Sequence, residues 1–293
     1  VTQVPPSAAN VCYRHPDRQS FIRCQRCGRT ICPECQTPGA VGVICPDDMA
    51  QQRQQAPKTR SPLLTRIKRM TQPGQPTVTY AIIALCVVVW VVEMLPVIGG
   101  AFLDATIYAP AYTLAQYTPA VGFEPWRMLT SIFIHSTALS LILPFHLLLN
   151  MYTLWIFGGQ LESMLGRGRF IALFLISGFA GSVGVLLLGD PVQGVLGASG
   201  AIFGLMGAFF AILRHMGSSL RGLLIVVGIN LVAGFILPGV AWQAHVGGLV
   251  AGALIGLIFT RTRQRSQRGL QVGLIAGVCV LLVAITAVKY MIG

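Results

Sequence analysis

The chain has 293 residues, of which 54% are apolar and only 10% charged, with a mean hydropathy of +0.69 and a formal net charge of +12. Soluble proteins carry about 25% charged residues, so this composition excludes an ordinary soluble enzyme and marks a membrane protein. The basic residues sit mostly beside apolar segments, where lysine and arginine hold topology, and this speaks against a nucleic-acid partner.

Reading from the N-terminus, no cleavable signal peptide is expected ahead of a polar, cysteine-rich module over residues 1–50. Cys12, Cys24, Cys27, Cys32, Cys35 and Cys45 combine with His15 and Asp48 into pairs of C-x2-H, C-x2-C, C-x2-C and C-x2-D type. Each pair sets two ligand atoms on one tight turn, as tetrahedral zinc requires. Two structural Zn2+ ions are expected. Alternate pairing suggests a cross-brace, with Cys12, His15, Cys32 and Cys35 on one ion and Cys24, Cys27, Cys45 and Asp48 on the other. A linear order, and Asp47 in place of Asp48, are the alternatives. The spacing resembles that of B-box-type zinc fingers. So short a module buries too little apolar surface to fold unaided, so metal would supply its folding energy. A disulfide scaffold fits the expected reducing cytoplasmic side poorly. With every ligand position filled, the module offers no catalytic metal and reads as a recruitment or regulatory element with a protein partner.

Residues 51–75 read as a basic flexible linker, in which Leu63 to Met70 form a short amphipathic piece suited to an anionic leaflet. Apolar runs then follow at 79–96, 141–158, 170–189, 199–213, 222–238, 240–260 and 270–288, giving seven predicted membrane helices. Arg53, Lys58, Arg60, Arg66, Lys68 and Arg69 precede the first run and place the N-terminus in the cytoplasm. Counting onward, the loops at Arg167 and Arg169, at Arg214 and Arg221, and at Arg261, Arg263, Arg265 and Arg268 fall on the same side; only Arg127 and Lys289 do not. The stretch 97–140 is rich in aromatic residues and prolines, and is expected to be an external loop lying partly in the bilayer.

Polar groups with chemical potential stand at corresponding depth. Ser199, in Gly197-Ala198-Ser199-Gly200-Ala201, opens the fourth run at its outer end, where helix N–H groups could face an oxyanion. His245 begins the sixth run, and an imidazole within reach of a serine hydroxyl can take its proton. Gly200, Gly204, Gly207, Gly248, Gly252 and Gly256 permit close approach of the two helices. His146 and Asn150 lie one helical turn apart and could donate to the same oxyanion. No acid is evident at that depth, which predicts a dyad rather than a triad. His135 reads as structural and His215 as solvated.

Trp126-Arg127, His146 with Asn150 and Gly158, the G-A-S-G-A run at Ser199, and the A-H-x-x-G-x-x-x-G run from Ala244 to Gly252 together resemble the motifs of rhomboid intramembrane serine proteases. The resemblance implies an all-α polytopic membrane protein with a six-helix core over 76–262 and an additional C-terminal helix within 263–293. It implies Ser199 as nucleophile, His245 as general base and later acid, and His146, Asn150 and the Ser199 N–H as the oxyanion site. It also implies a Phe203 ring beneath the histidine, a structural role for Trp126 and Arg127, transmembrane protein substrates in a lipid bilayer, and an active site open to the external face. A Pro144 before the second run is expected to shift where that helix begins. A catalytically silent rhomboid-like recruitment protein and a midplane transporter are the competing readings.

Overall fold

The computed structural model describes residues 10–39, 42–55, 75–137, 145–237 and 239–292. The expectations for Leu63–Met70, most of the linker and Pro144 lie outside them. The chain divides into two units, Val1–Arg66 and Ile67–Gly293.

The first unit holds a two-residue antiparallel pair, β1 (Thr37–Pro38) with β2 (Val43–Ile44), followed by α1 (Pro46–Gln55). Its buried core consists of Cys12, Cys24, Cys32, Cys35, Cys45 and Ile31, with Tyr13, Val43 and Ile44 partly buried against it. At about 25 cal/mol per Å² of apolar surface, so few apolar side chains fall far short of the conformational entropy of ordering this many residues. Something other than hydrophobic burial must hold the unit together.

The second unit is helical, and it places the chain's apolar runs in α2 (Thr77–Glu93), α6 (Phe145–Leu165), α7 (Arg167–Leu188), α8 (Ser199–His215), α9 (Arg221–Ile236), α10 (Trp242–Arg261) and α11 (Arg268–Ile292). Among the described residues, α7, α10 and the stretch Arg265–Ile292 are long and apolar enough to cross a membrane; α2, α8 and α9 are shorter apolar helices. These make it a multi-pass membrane protein.

Helix boundaries differ from the apolar runs for identifiable reasons. The first run extends to 96 in hydropathy, but α2 ends at Glu93, just ahead of Pro96, which cannot continue a helix. Conversely, α6 continues past 158 through Gln160, Glu162 and Ser163 to Leu165, and the chain turns at Gly166 with φ +80°. The reason is Glu162. Its carboxylate accepts the N–H groups of Val78 and Thr79 at 2.9 and 2.7 Å and the Thr79 hydroxyl at 2.8 Å, satisfying orphan donors at the start of α2.

Between α2 and α6 the chain forms short helices α3 (Gly99–Thr106), α4 (Thr118–Val121) and α5 (Arg127–Thr130). This segment is more than an interfacial loop. Tyr108, Leu114 and Met128 are buried against Val183 and Leu186 of α7 and Val278 and Leu282 of α11. Arg127 organises it: its guanidinium lies 4.0 Å from the centre of the Tyr112 ring, pairs with Glu124, and donates to the carbonyls of Asp104 and of Ile107, the latter at 3.1 Å.

At the centre, α8 and α10 touch backbone to backbone. A Cβ on Gly248 would fall on the carbonyl oxygen of Gly200, one on Gly252 on that of Gly204, and one on Gly256 would sit 2.6 Å from the Cα of Ala208. The i, i+4 repeat on both helices makes one continuous seam. Here glycine is required by space. By contrast, a Cβ on Gly273 of α11 meets nothing within 4 Å. We therefore expect Gly252→Leu to destabilise the fold by roughly 3 kcal/mol or more, since the obstacle is backbone and cannot rotate away. Gly273→Ala should be neutral or stabilising by up to about 1 kcal/mol from helix propensity. Unfolding in mixed detergent micelles would measure both.

Candidate active site

The seam sets the register of the two residues at one of its ends. Ser199 is the first residue of α8, immediately before Gly200, and His245 lies three residues before Gly248 on α10. Their side chains meet, with His245 Nε2 3.0 Å from Ser199 Oγ. A serine at a helix start often caps it, but this hydroxyl faces the imidazole and α8 has no side-chain cap. The N–H groups of its first turn are without intrahelical partners.

The imidazole is held on both remaining sides. Phe203, one turn along α8 from Ser199, stacks on it with ring centres 4.2 Å apart and planes 11° from parallel. Its Nδ1 faces Gly234 of α9, where a Cβ would stand 3.3 Å away, and has no hydrogen-bond partner among the described residues. Among the described residues, no carboxylate is bonded to this nitrogen, where a third triad member would stand.

The turn before Ser199 is pinned by backbone. The N–H of Gly197 donates to the carbonyl of Ser131 at 2.8 Å, and Tyr108 and Val195 exchange hydrogen bonds in an antiparallel bridge. Gly197 has φ +116°, and a Cβ there would meet the His146 ring at 2.8 Å from Cε1 and 2.9 Å from Nε2. The conformation and the close approach both demand glycine. His146 is thereby packed against the turn that presents Ser199. Asn150 is buried on the same face of α6 and donates its Nδ2–H to the carbonyl of His146 at 2.8 Å. No contact of Asn150 with Ser199 or His245 is among the described hydrogen bonds.

Two buried groups beside this assembly carry no sequence motif. His135 is fully buried with its ring centre 5.3 Å from that of His146, and Glu93 accepts the His135 backbone N–H at 3.3 Å. A signal existed for the second: a lone carboxylate in the first apolar run is costly there and so informative.

In the first unit, two groups of ligand atoms converge. Cys12, His15, Cys32 and Cys35 form one, and Cys24, Cys27, Cys45 and Asp48 the other, the ligand atoms of each lying within 4.8 Å of one another. His15 Nδ1 is 3.4 Å from the sulfurs of Cys32 and Cys35 and 3.8 Å from that of Cys12; Asp48 Oδ2 is 3.1 Å from those of Cys24 and Cys45. Tetrahedral ligands about 2.0–2.3 Å from a zinc ion stand roughly 3.3–3.8 Å apart; the His15 contacts lie in that range, as does the 3.8 Å between the sulfurs of Cys27 and Cys45, and the Asp48 contacts are slightly shorter. Asp47 instead pairs with Arg29 at 3.0 Å. Burial works against ionising Cys12, yet the N–H groups of Cys32, Arg14 and His15, with the His15 imidazole, bring its thiol down to about 6. Burial and neighbouring thiols push Cys35 up to about 11.

A family model described as the Rhomboid domain matches residues 122–262. The chain is 33% identical over 189 residues to Rhomboid protease GluP of Bacillus subtilis (strain 168), covering 62% of this chain and 34% of that protein. It is 37% identical over 145 residues to the mitochondrial RHOMBOID-like protein 6 of Arabidopsis thaliana, covering 47% of this chain and 44% of that one. YdcA of Bacillus subtilis (strain 168), which also carries the rhomboid name, is 31% identical over 196 residues, 65% of this chain and 92% of its own length. The chain thus spans a third to under a half of the first two relatives and nearly all of the third. On this likeness, the chain belongs to the rhomboid family.

Proposed function

We propose that the chain is an intramembrane serine endopeptidase that cleaves peptide bonds in or beside transmembrane helices of membrane-protein substrates. The observation that carries this reading is the 3.0 Å approach of Ser199 Oγ to His245 Nε2 at the glycine seam. His245 Nε2 takes the hydroxyl proton as Ser199 Oγ bonds to the scissile carbonyl carbon, whose electron pair moves onto oxygen. The oxyanion is met by the Ser199 N–H, His146 and Asn150. His245 then returns the proton to the departing amine as the C–N bond breaks, and water, activated by the same imidazole, releases the acyl group from Ser199. Each donor to such an oxyanion is worth about 10²–10³ in rate. The Phe203 ring beneath the imidazole keeps Nε2 aimed at Oγ in place of a third acidic residue.

Residues 76–262 form the six-helix peptidase core, residues 263–293 add a seventh membrane helix, and 51–75 link the core to a B-box-like module over 1–50. The basic loops keep the N-terminus cytoplasmic and the catalytic end of α8 toward the external face, where water can reach it. In the module, the two clusters hold one structural zinc ion each, which supplies the cross-link that its sparse apolar core does not. Its role is to engage a cytoplasmic protein partner.

Ser199→Ala, reconstituted in liposomes with a model transmembrane substrate, should lose at least about a thousandfold in cleavage rate. A fluorophosphonate probe should label the unaltered chain at Ser199. Cleavage surviving in the variant would sink the assignment, and an unlabelled, inactive wild-type chain would favour a silent recruitment protein.

Metal analysis of the purified chain should give two zinc ions per molecule. Chelation should expose residues 10–55 to proteolysis, and Cys32→Ser should do the same at one site. A module that stays protease-resistant without metal would contradict the zinc reading.

A further inference from the structure

Glu93 is a buried titratable group that the mechanism leaves unused. It is the last residue of α2 and only 7% exposed. One carboxylate oxygen, Oε2, accepts the backbone N–H of His135 at 3.3 Å; the other is buried with no partner among the described residues. Burying a carboxylate in a helix otherwise apolar is unfavourable, so packing alone does not account for it.

One turn earlier on the same face of α2, Trp90 donates its indole N–H to the carbonyl of Ser136 at 3.3 Å. Two side chains of α2 therefore grip two successive residues, His135 and Ser136. The next group along this strap is the N–H of Ser136, which donates to His146 Nδ1 at 3.4 Å. An imidazole that accepts at Nδ1 carries its proton on Nε2. That nitrogen is the one packed against Gly197, 2.9 Å from where a Cβ would stand, two residues before Ser199. On the strap side, the buried His135 ring closes over His146 at 5.3 Å between centres.

We propose that Glu93, assisted by Trp90, is a positioning residue for the anion site: it holds the 135–136 strap so that the Ser136 N–H selects the His146 tautomer with a proton on Nε2, aimed at the developing oxyanion. This rests on the reading of His146 as an oxyanion donor. Glu93 itself touches no reacting atom. A group that only braced the fold would influence every step alike, whereas this one acts through His146 alone.

The test is a double-mutant cycle on the full chain in proteoliposomes, with kcat and KM for a model transmembrane substrate. Glu93→Ala should lower kcat about tenfold and leave KM within about twofold, because the lost contribution belongs to the transition state. Glu93→Gln keeps an acceptor oxygen for the His135 N–H and should recover kcat to within about threefold of the wild type. In a His146→Ala background, Glu93→Ala should change kcat by less than about twofold.

An equal loss from Glu93→Ala in both backgrounds, a Gln variant as poor as the Ala variant, or a change confined to KM would overturn the proposal while leaving the oxyanion role of His146 standing. If His146→Ala leaves kcat unchanged, that role falls and the proposal falls with it. Should Glu93→Ala fail to fold, Trp90→Phe, which removes the donor to Ser136 and keeps the ring, runs the same cycle with the same expectations.

Discussion

The meeting of Ser199 with His245 depends on how closely α8 and α10 approach. Gly248 and Gly252 lie where any side chain would overlap the carbonyls of Gly200 and Gly204, so the helices are locked in one axial register. In a bilayer the lipid is as apolar as leucine, and exclusion of water from helix contacts contributes little. Association rests instead on dense packing, which glycine maximises. The register has chemical meaning because Ser199 and His245 sit on this seam at its end. A shift of α10 by one residue would move the imidazole about 1.5 Å and rotate it away from the hydroxyl.

Polar groups are expensive alone in an apolar setting, and several in the membrane unit tie two elements together. Glu162 on α6 binds the first turn of α2. Gln271 on α11 accepts from Arg169 of α7 at 2.8 Å and donates to Thr262, at the end of α10, at 2.8 and 3.0 Å. Arg127 gathers three parts of the segment between α2 and α6. These pairings join the elements that surround Ser199 and His245. The buried Nδ1 of His245, facing Gly234, has no hydrogen-bond partner among the described residues, and neither have Glu93 Oε1, His135 Nε2 and Ser177 Oγ.

The two units solve the same problem of stability by different means. The membrane unit packs large side chains such as Phe170, Phe174, Leu205 and Ile255 around the glycine seam. The N-terminal unit buries Ile31 and a set of cysteines, with Tyr13, Val43 and Ile44 packed against them, and it gathers eight side chains into two groups that could each hold a metal ion. Ligand spacing in short turns is local, and so it was legible before any fold was known. The division of eight ligands into two sets follows from alternation of the pairs, and the distances group them in the same way.

Much of the architecture was readable from the chain because membrane helices announce themselves by hydropathy, a local property. The apolar runs correspond to helices, with ends displaced where Pro96, Glu162 and Gly166 act, since caps and stops are set by single residues that a hydropathy window averages away. The motif residues Ser199, His245, His146 and Asn150 could be singled out because polar groups in apolar runs are few. Which of them touch was beyond the sequence alone: the 3.0 Å contact joins residues 46 positions apart and exists only because the seam brings two helices into register. The strap at His135 and Ser136, the Glu93 and Trp90 that grip it, and the turn at Gly197 against His146 were likewise decided by tertiary structure. Their partners lie on different helices, and no spacing rule connects residues that meet only after the helices have packed.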